Sequence, residues 1–283
     1  KIKIFSVTLS FFIISIFLTS LLTPYYISQG VYEVVDNEQA KSPLSRAQQI
    51  GQGFGISIPS LGSKSADKGT LAIEIILSRG FVKSLTEDDY IVASIMAPSY
   101  FSWDDRKLYF DESKYNLKDN TWSRSPSKQF GSRPSYLEVY EEYIKILSIR
   151  QDKRSGFVYI SLEHISPVFA KEFIDTVVKK VNDQIRQQDM QESSAALEYL
   201  FKKQVTTKEK GTLVSINSLI ENYLSKDVIS NIRENYALNA IDAPYVPLIK
   251  SKPFRSLIVL ISTILGFILS ITYIFIKEAI KKN

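Results

Sequence analysis

A single histidine, His164, and no cysteine among 283 residues leave few ways to build a reactive centre. Thiolate nucleophiles, disulfides and thiolate metal sites all need cysteine, and a two-histidine metal site needs a second histidine. A histidine-based triad needs a hydroxyl and a carboxylate gathered around the ring. His164 ends an alternating apolar run and stands just before Ser166-Pro167, so it reads as a structural histidine between a strand and a helix cap. Carboxylate pairs are the remaining chemistry, because glycoside cleavage uses two acids flanking a bond. Glu87-Asp88-Asp89, Asp104-Asp105 and Glu141-Glu142 supply such acids, but each lies in a polar segment, the pattern of a solvated face. No Asp-x-Asp is present to hold a metal-bound nucleotide sugar. Gly62-Ser63-Lys64-Ser65 has the composition of a phosphate loop without Gly-x-x-x-x-Gly-Lys-Ser/Thr, and reads as an ordinary glycine loop. No catalytic residue, cofactor or metal is expected, so the protein is read as a non-enzyme.

What the chain must position is set by two apolar runs, Ile4 to Leu22 and Leu257 to Ile276, neither with a charged residue. At ~1.5 Å rise per residue each covers roughly the 30 Å hydrocarbon core of a bilayer. Lys1 and Lys3 precede the first, which exceeds a signal-peptide core and is followed by no small-x-small cleavage site, so both runs are expected to be retained spans. Glu33, Asp36 and Glu38 come before the first base after that span, Lys41, which places the N-terminus in the cytoplasm. The second span, flanked by Lys250, Lys252 and Arg255 on one side and Lys277, Lys281 and Lys282 on the other, is ambiguous alone. Two spans put both termini on one side and residues 23–256 outside the cytoplasm. The opening residue is not methionine, so a longer cytoplasmic segment is expected. The net charge of +5 is dispersed without a basic patch, which gives no support for a nucleic-acid partner.

Gly30 to Val35 reads as a strand leaving the membrane, and Gly51 to Ser63 as a glycine-rich surface loop. Thr70 to Leu85 has helical spacing despite Gly80. The aromatics Trp103, Tyr109, Phe110, Trp122 and Phe130 read as core rather than as sugar-stacking platforms, and Ser135 begins a short helix. Ile144 to Arg150 and Phe157 to Glu163 form a hairpin around a turn ending at Gly156. Ser166-Pro167 then caps a long helix with a stripe of Ala170, Ile174, Val177, Val181 and Ile185. Taken as one helix from Ser166 to Ser225 it would extend ~90 Å, with a break expected near Gly211 or within Gln184 to Ser194. Such a stripe needs a partner, either a second helix of the same chain or other copies. A shorter helix near Lys226 to Asn235 and a returning strand, Tyr236 to Ile241, complete the pattern.

Pro244, Pro247 and Pro253, with Lys252 and Arg255, make a stiff connector directly before the second span. Within that span Ser262, Gly266 and Ser270 recur at four-residue spacing, the small-residue stripe that lets membrane helices approach.

In this order of elements the chain resembles the chain-length determinant family, the Wzz-type polysaccharide co-polymerases of the bacterial inner membrane. The residues that carry the resemblance are Tyr26 to Val31 after the first span, Ala72 to Arg79, and the hairpin with Gly156. The helix start Ser166-Pro167 to Ala170, the run Glu234 to Pro244 and the proline segment complete them. The resemblance implies an α+β membrane protein: two transmembrane helices flanking a periplasmic α/β base with a long helical extension. Its expected parts are a stub 1–3, a span 4–22, a base 23–165, a helical extension 166–235, a returning strand and proline segment 236–256, a span 257–276 and a tail 277–283. It also implies a homo-oligomeric ring that works with an integral-membrane polymerase on a lipid-linked polysaccharide, such as O-antigen, and sets its length. The seven residues after the second span indicate the class without a fused kinase. An export scaffold for capsule or exopolysaccharide, an adaptor of a separate tyrosine kinase, and a two-span receptor remain open alternatives.

Overall fold

The protein, described by a computed structural model over residues 2–35, 68–123 and 131–282, is built on one antiparallel sheet with helices on one of its faces. The glycine-rich segment 51–63, the Gly62 to Ser65 sequence, Asp36, Glu38, Lys41 and Phe130 lie outside the described residues.

Helix α1 (Ile2–Ser20) leads into β1 (Tyr26–Val34). Strands β6 (Leu147–Gln151), β7 (Val158–His164) and β8 (Leu238–Asp242) join it in the order β6-β7-β1-β8. Side chains alternate across a strand, and β7 follows the rule: Val158, Ile160, Leu162 and His164 are buried while Tyr159, Ser161 and Glu163 face the open side. The β6–β7 turn closes at Gly156, whose φ of +78 is the left-handed conformation that glycine adopts without strain.

The covered face carries α2 (Lys68–Ile76), α3 (Arg79–Leu85), α4 (Asp89–Met96), α5 (Tyr136–Ile146) and the first half of α6 (Pro167–Thr206). Their apolar sides meet β1 and β7 in one core that includes Phe81, Val82, Tyr143, Phe173, Val177 and Ile185. Between α4 and α5 come β2 (Pro98–Ser102), β3 (Lys107–Phe110), β4 (Tyr115–Asn116) and β5 (Thr121–Trp122), two small hairpins over a satellite core of Leu108, Phe110 and Tyr115.

Several sequence expectations shift here. The helix over Thr70 to Leu85 is two, because Ser78 accepts a hydrogen bond from the Phe81 amide at 3.1 Å and starts a new helix. Ile144 to Ile146 finish α5 rather than opening β6, since a Ser135–Glu138 capping box and a strong amphipathic face carry that helix on. β1 starts at Tyr26 rather than Gly30, and β8 at Leu238 rather than Tyr236. The aromatics divide: Phe110 and Tyr115 are core, but Trp103 is 40% and Tyr109 38% exposed.

The long helical pattern breaks at residues 207–209, just before Gly211 as expected, and runs unbroken through Gln184 to Ser194. Helix α6 runs 40 residues, ~60 Å, and stops at Thr207, and α7 (Lys210–Ile232) folds back along it with Gly211 in its first turn. The segment from Lys226 onward is the end of α7, not a separate helix. Leu200, Ile216 and Ile220 form the hairpin's own core. Tyr199, Val205, Val214, Val228 and Ile232 are left exposed.

Candidate functional site

Both ends of the chain meet at one edge of the sheet. β1 needs a partner along its outer edge, and β8 pairs with it only from Val31 onward. Nearer α1 the proline segment takes over. Ser28 Oγ donates to the Tyr245 carbonyl at 2.7 Å, the Tyr25 amide to the Lys252 carbonyl at 2.9 Å, and the Ser251 amide to the Tyr25 carbonyl at 2.8 Å. The ladder is intermittent because proline has no N–H to give, so Pro244 and Pro247 sit buried where regular pairing lapses. Pro253 is half-buried beyond a cis Lys252–Pro253 bond.

The proline segment is therefore a strap along β1, secured by charge at its lower end. Lys252 Nζ lies 2.8 Å from Glu163 Oε2 on β7, and Arg255 Nη2 donates to the Leu22 carbonyl at 3.3 Å. Immediately after it begins α8 (Arg255–Lys282). Within α8, Arg255–Tyr273 is 19 residues with a mean hydropathy of 2.2, long and apolar enough to cross a membrane. Phe5–Ser20 of α1 is a shorter apolar helix, and it packs along α8.

The packing face of that pair is the small-residue stripe. Gly266 and Ser270 are buried and Ser262 is half-buried, and Ser15 and Thr19 are buried on α1. Gly266 lies against Phe11, while Arg255 reaches Leu22, so the helices run antiparallel. Hydroxyls in this seam bond back to their own helix: Ser15 to the Phe12 carbonyl at 2.8 Å, Thr19 to Ser15 at 2.8 Å and Ser270 to Phe267 at 2.7 Å. No donor is left orphaned by them in a low-dielectric setting.

A groove of about 520 Å³ opens where strap and helices meet, walled by Leu22, Phe254, Leu257 and Ile258, with Thr23 and Lys252 at its rim.

The residues weighed for chemistry are dispersed. His164 is 3% exposed, its Nε2 2.8 Å from the Ser94 carbonyl and its Nδ1 accepting from the Ser166 amide at 3.0 Å. Both ring nitrogens are used, and burial pushes its pKa down to about 4, so it is a neutral structural ring. Asp88 caps α4 through the Tyr90 amide, Asp89 pairs with Arg133 at 2.8 Å, Asp105 accepts from the Tyr109 hydroxyl at 2.6 Å, and Glu142 pairs with Lys145 at 2.7 Å. Each of these acids has a local structural role. No group of three metal-ligating side chains comes together among the described residues.

Two polar arrangements were not read from sequence. Asn182, buried on α6, accepts from the Ala237 and Leu238 amides at 2.9 and 2.8 Å and donates to the Leu238 carbonyl at 2.9 Å, tying the helix to β8. About two turns further along, Asp189 receives the Tyr236 hydroxyl at 2.5 Å and lies 3.0 Å from Lys226 and 3.8 Å from Lys68. Asn182 and Asp189 lie on the helix face that turns inward, and polar residues there are the available signal.

No protein-family model matches the chain, and no curated protein matches it. Among solved structures, the chain is similar to a full-length bacterial polysaccharide co-polymerase, at 12% identity and a TM-score of 0.42, covering 100% of this chain and 95% of that one. It is also similar to a fragment of WzzB, the polysaccharide co-polymerase from Salmonella Typhimurium, at 10% identity and a TM-score of 0.32, covering 81% of this chain and 100% of that one.

Proposed function

We propose that this protein is a Wzz-type polysaccharide co-polymerase: a homo-oligomeric regulator of surface-polysaccharide chain length with no chemistry of its own. In this reading α1 and α8 both span the bacterial inner membrane, the sheet and its helices stand in the periplasm, and the α6–α7 hairpin projects from them. The partners are other copies of the chain, an integral-membrane polymerase and the lipid-linked polymer, of O-antigen type, that the polymerase extends.

The observation that carries the reading is the pairing of Tyr25 with Lys252. It joins the exit of one apolar helix to the entrance of the other beneath a single sheet, so a shift in either helix is passed to β1 without a flexible linker. A rigid base with a projecting rod suits a part that measures or spaces a growing polymer. Oligomerisation is favoured by the hairpin, whose uncovered Tyr199, Val205, Val214, Val228 and Ile232 need a neighbour.

The test is the size distribution of surface polysaccharide, resolved on a gel, in a strain lacking the protein and in one with it restored. A modal cluster lost on deletion and regained on restoration supports length control. Loss of all polymer would favour the export-scaffold reading, and an unchanged ladder a receptor.

A further inference from the structure

The groove between strap and helices has walls and charges that fit one class of occupant. Its apolar side, Leu22, Phe254, Leu257 and Ile258, includes the first turns of the membrane-crossing stretch of α8, while Thr23 and Lys252 mark its upper rim. It thus runs from apolar to polar in the direction that a bilayer does. Its ~520 Å³ falls in the size range of small-molecule sites. Phe254 is 65% exposed and Leu257 51%, so the wall is open on the lipid side.

The groove's own lining charges, Lys252 and Glu163, cancel, and the unmatched charge lies just beside it. Arg255, half-buried beside the groove, has no carboxylate partner among the described residues; it gives one hydrogen bond, to the Leu22 carbonyl, and its Nε is buried without a partner. Lys250 is exposed and pairs with no carboxylate among the described residues. A guanidinium offers five N–H donors in a fork that matches phosphate.

We propose that this groove binds one anionic phospholipid, its acyl chain along Leu22, Leu257 and Ile258 and its phosphate at Arg255, with Lys250 adding to the positive field. The inference rests on α8 crossing the membrane and not on length control. A second copy of the chain is a poorer occupant, because it would have to bring an acid to Arg255 as well as an apolar surface.

The experiment uses the intact chain in mild detergent, titrated with phosphatidylglycerol and, separately, phosphatidylcholine, with bound lipid read by native mass spectrometry. One phosphatidylglycerol per chain is expected, retained about five- to tenfold more strongly than phosphatidylcholine. Arg255→Gln should reduce that preference to parity. Ile258→Trp, which fills the groove and leaves the charges in place, should lower retention of both lipids, and it serves where the arginine variant fails to fold. Glycerol phosphate, which has no acyl chain, should not bind. Equal retention of the two lipids by the unaltered chain, retention unaffected by Ile258→Trp, or a lipid-free dimer would overturn the proposal. None of these outcomes touches the polysaccharide gel, so the two readings fail separately.

Discussion

Gly266 and Phe11 meet across the two apolar helices so closely that a Cβ built on Gly266 would lie 2.7 Å from both Cβ and Cγ of Phe11. Real Cβ atoms do not approach that near, so any side chain at 266 forces the pair apart. Overpacking of this kind costs typically 1–3 kcal/mol. Gly266→Ala should therefore destabilise the chain in detergent by about that amount, and Gly266→Leu by more. Phe11→Gly should relieve part of the cost, giving a coupling above about 0.5 kcal/mol in a double-mutant cycle. Additive effects would mean the helices do not pack through these residues.

The α6 start was legible, because a serine before a proline is a local helix-start signal, and Ser166 accepts from the Phe169 amide at 3.1 Å. A break near Gly211 was legible, but the docking register of the reversal after Thr207 was not. That register sets Gln204 against Asn217 at 2.7 Å and Lys226 against Glu192 at 3.1 Å, contacts between residues far apart in the chain. The proline segment announced stiffness, but not that it would lie along β1, because the bonds that place it come from Tyr25 and Ser28. The exposure of Trp103 and Tyr109 was missed for a similar reason. An aromatic on a short hairpin is core or surface according to which side of the hairpin meets the body, and composition does not record that.

Asn182 is the strongest test of how the hairpin is held to the sheet. Its amide makes three bonds to Ala237 and Leu238 in a buried setting. Removing it leaves backbone groups unpaired, each at a cost of about 1–3 kcal/mol. Asn182→Ala should cost at least ~2 kcal/mol, and the Ala237 and Leu238 amides should lose hydrogen-exchange protection ahead of the β1–β7 ladder. Loss of protection spread evenly over the sheet would argue against a local tie.

His164 makes stability depend on pH. Its ring has an ordinary value near 6.5 in the unfolded chain and about 4 in the folded one, because burial disfavours the charged form. The unfolded state takes up a proton first as pH falls, so the contribution is complete above 6.5, declines between 6.5 and 4, and is flat below. Denaturant unfolding at pH 7.5 and pH 4.5 should differ by about 2–3 kcal/mol from this group. His164→Gln should shrink that difference. A pH dependence identical in the variant would assign it to other groups.

The strap carries the prediction closest to function. Alanine at Pro244, Pro247 and Pro253 restores three N–H donors and frees three φ angles. The segment then gains conformations in which it no longer follows β1. The triple variant, expressed at normal level in the membrane, should still support polymer but with a shifted or broadened length distribution on the gel. Unchanged length would show that strap stiffness is not used.

How close the sheet stands to the bilayer can be read from Trp103. Its Nε1 donates to the Tyr26 hydroxyl at 3.2 Å, and its ring meets the Tyr26 ring edge-on at 5.8 Å. Tyr26 is three residues beyond Thr23 at the rim of the groove, a rise of ~10 Å in extended chain. With α1 and α8 in the membrane, Trp103 should sit at headgroup level, where tryptophan is enriched. The chain has two tryptophans, so Trp122→Phe leaves Trp103 as the sole reporter. In liposomes its fluorescence should be quenched by lipids brominated near the headgroup more than by those brominated deep in the chain. Quenching by acrylamide alone, with no response to either bromolipid, would mean that the sheet is held clear of the surface and that Tyr25 and Lys252 close the strap in water.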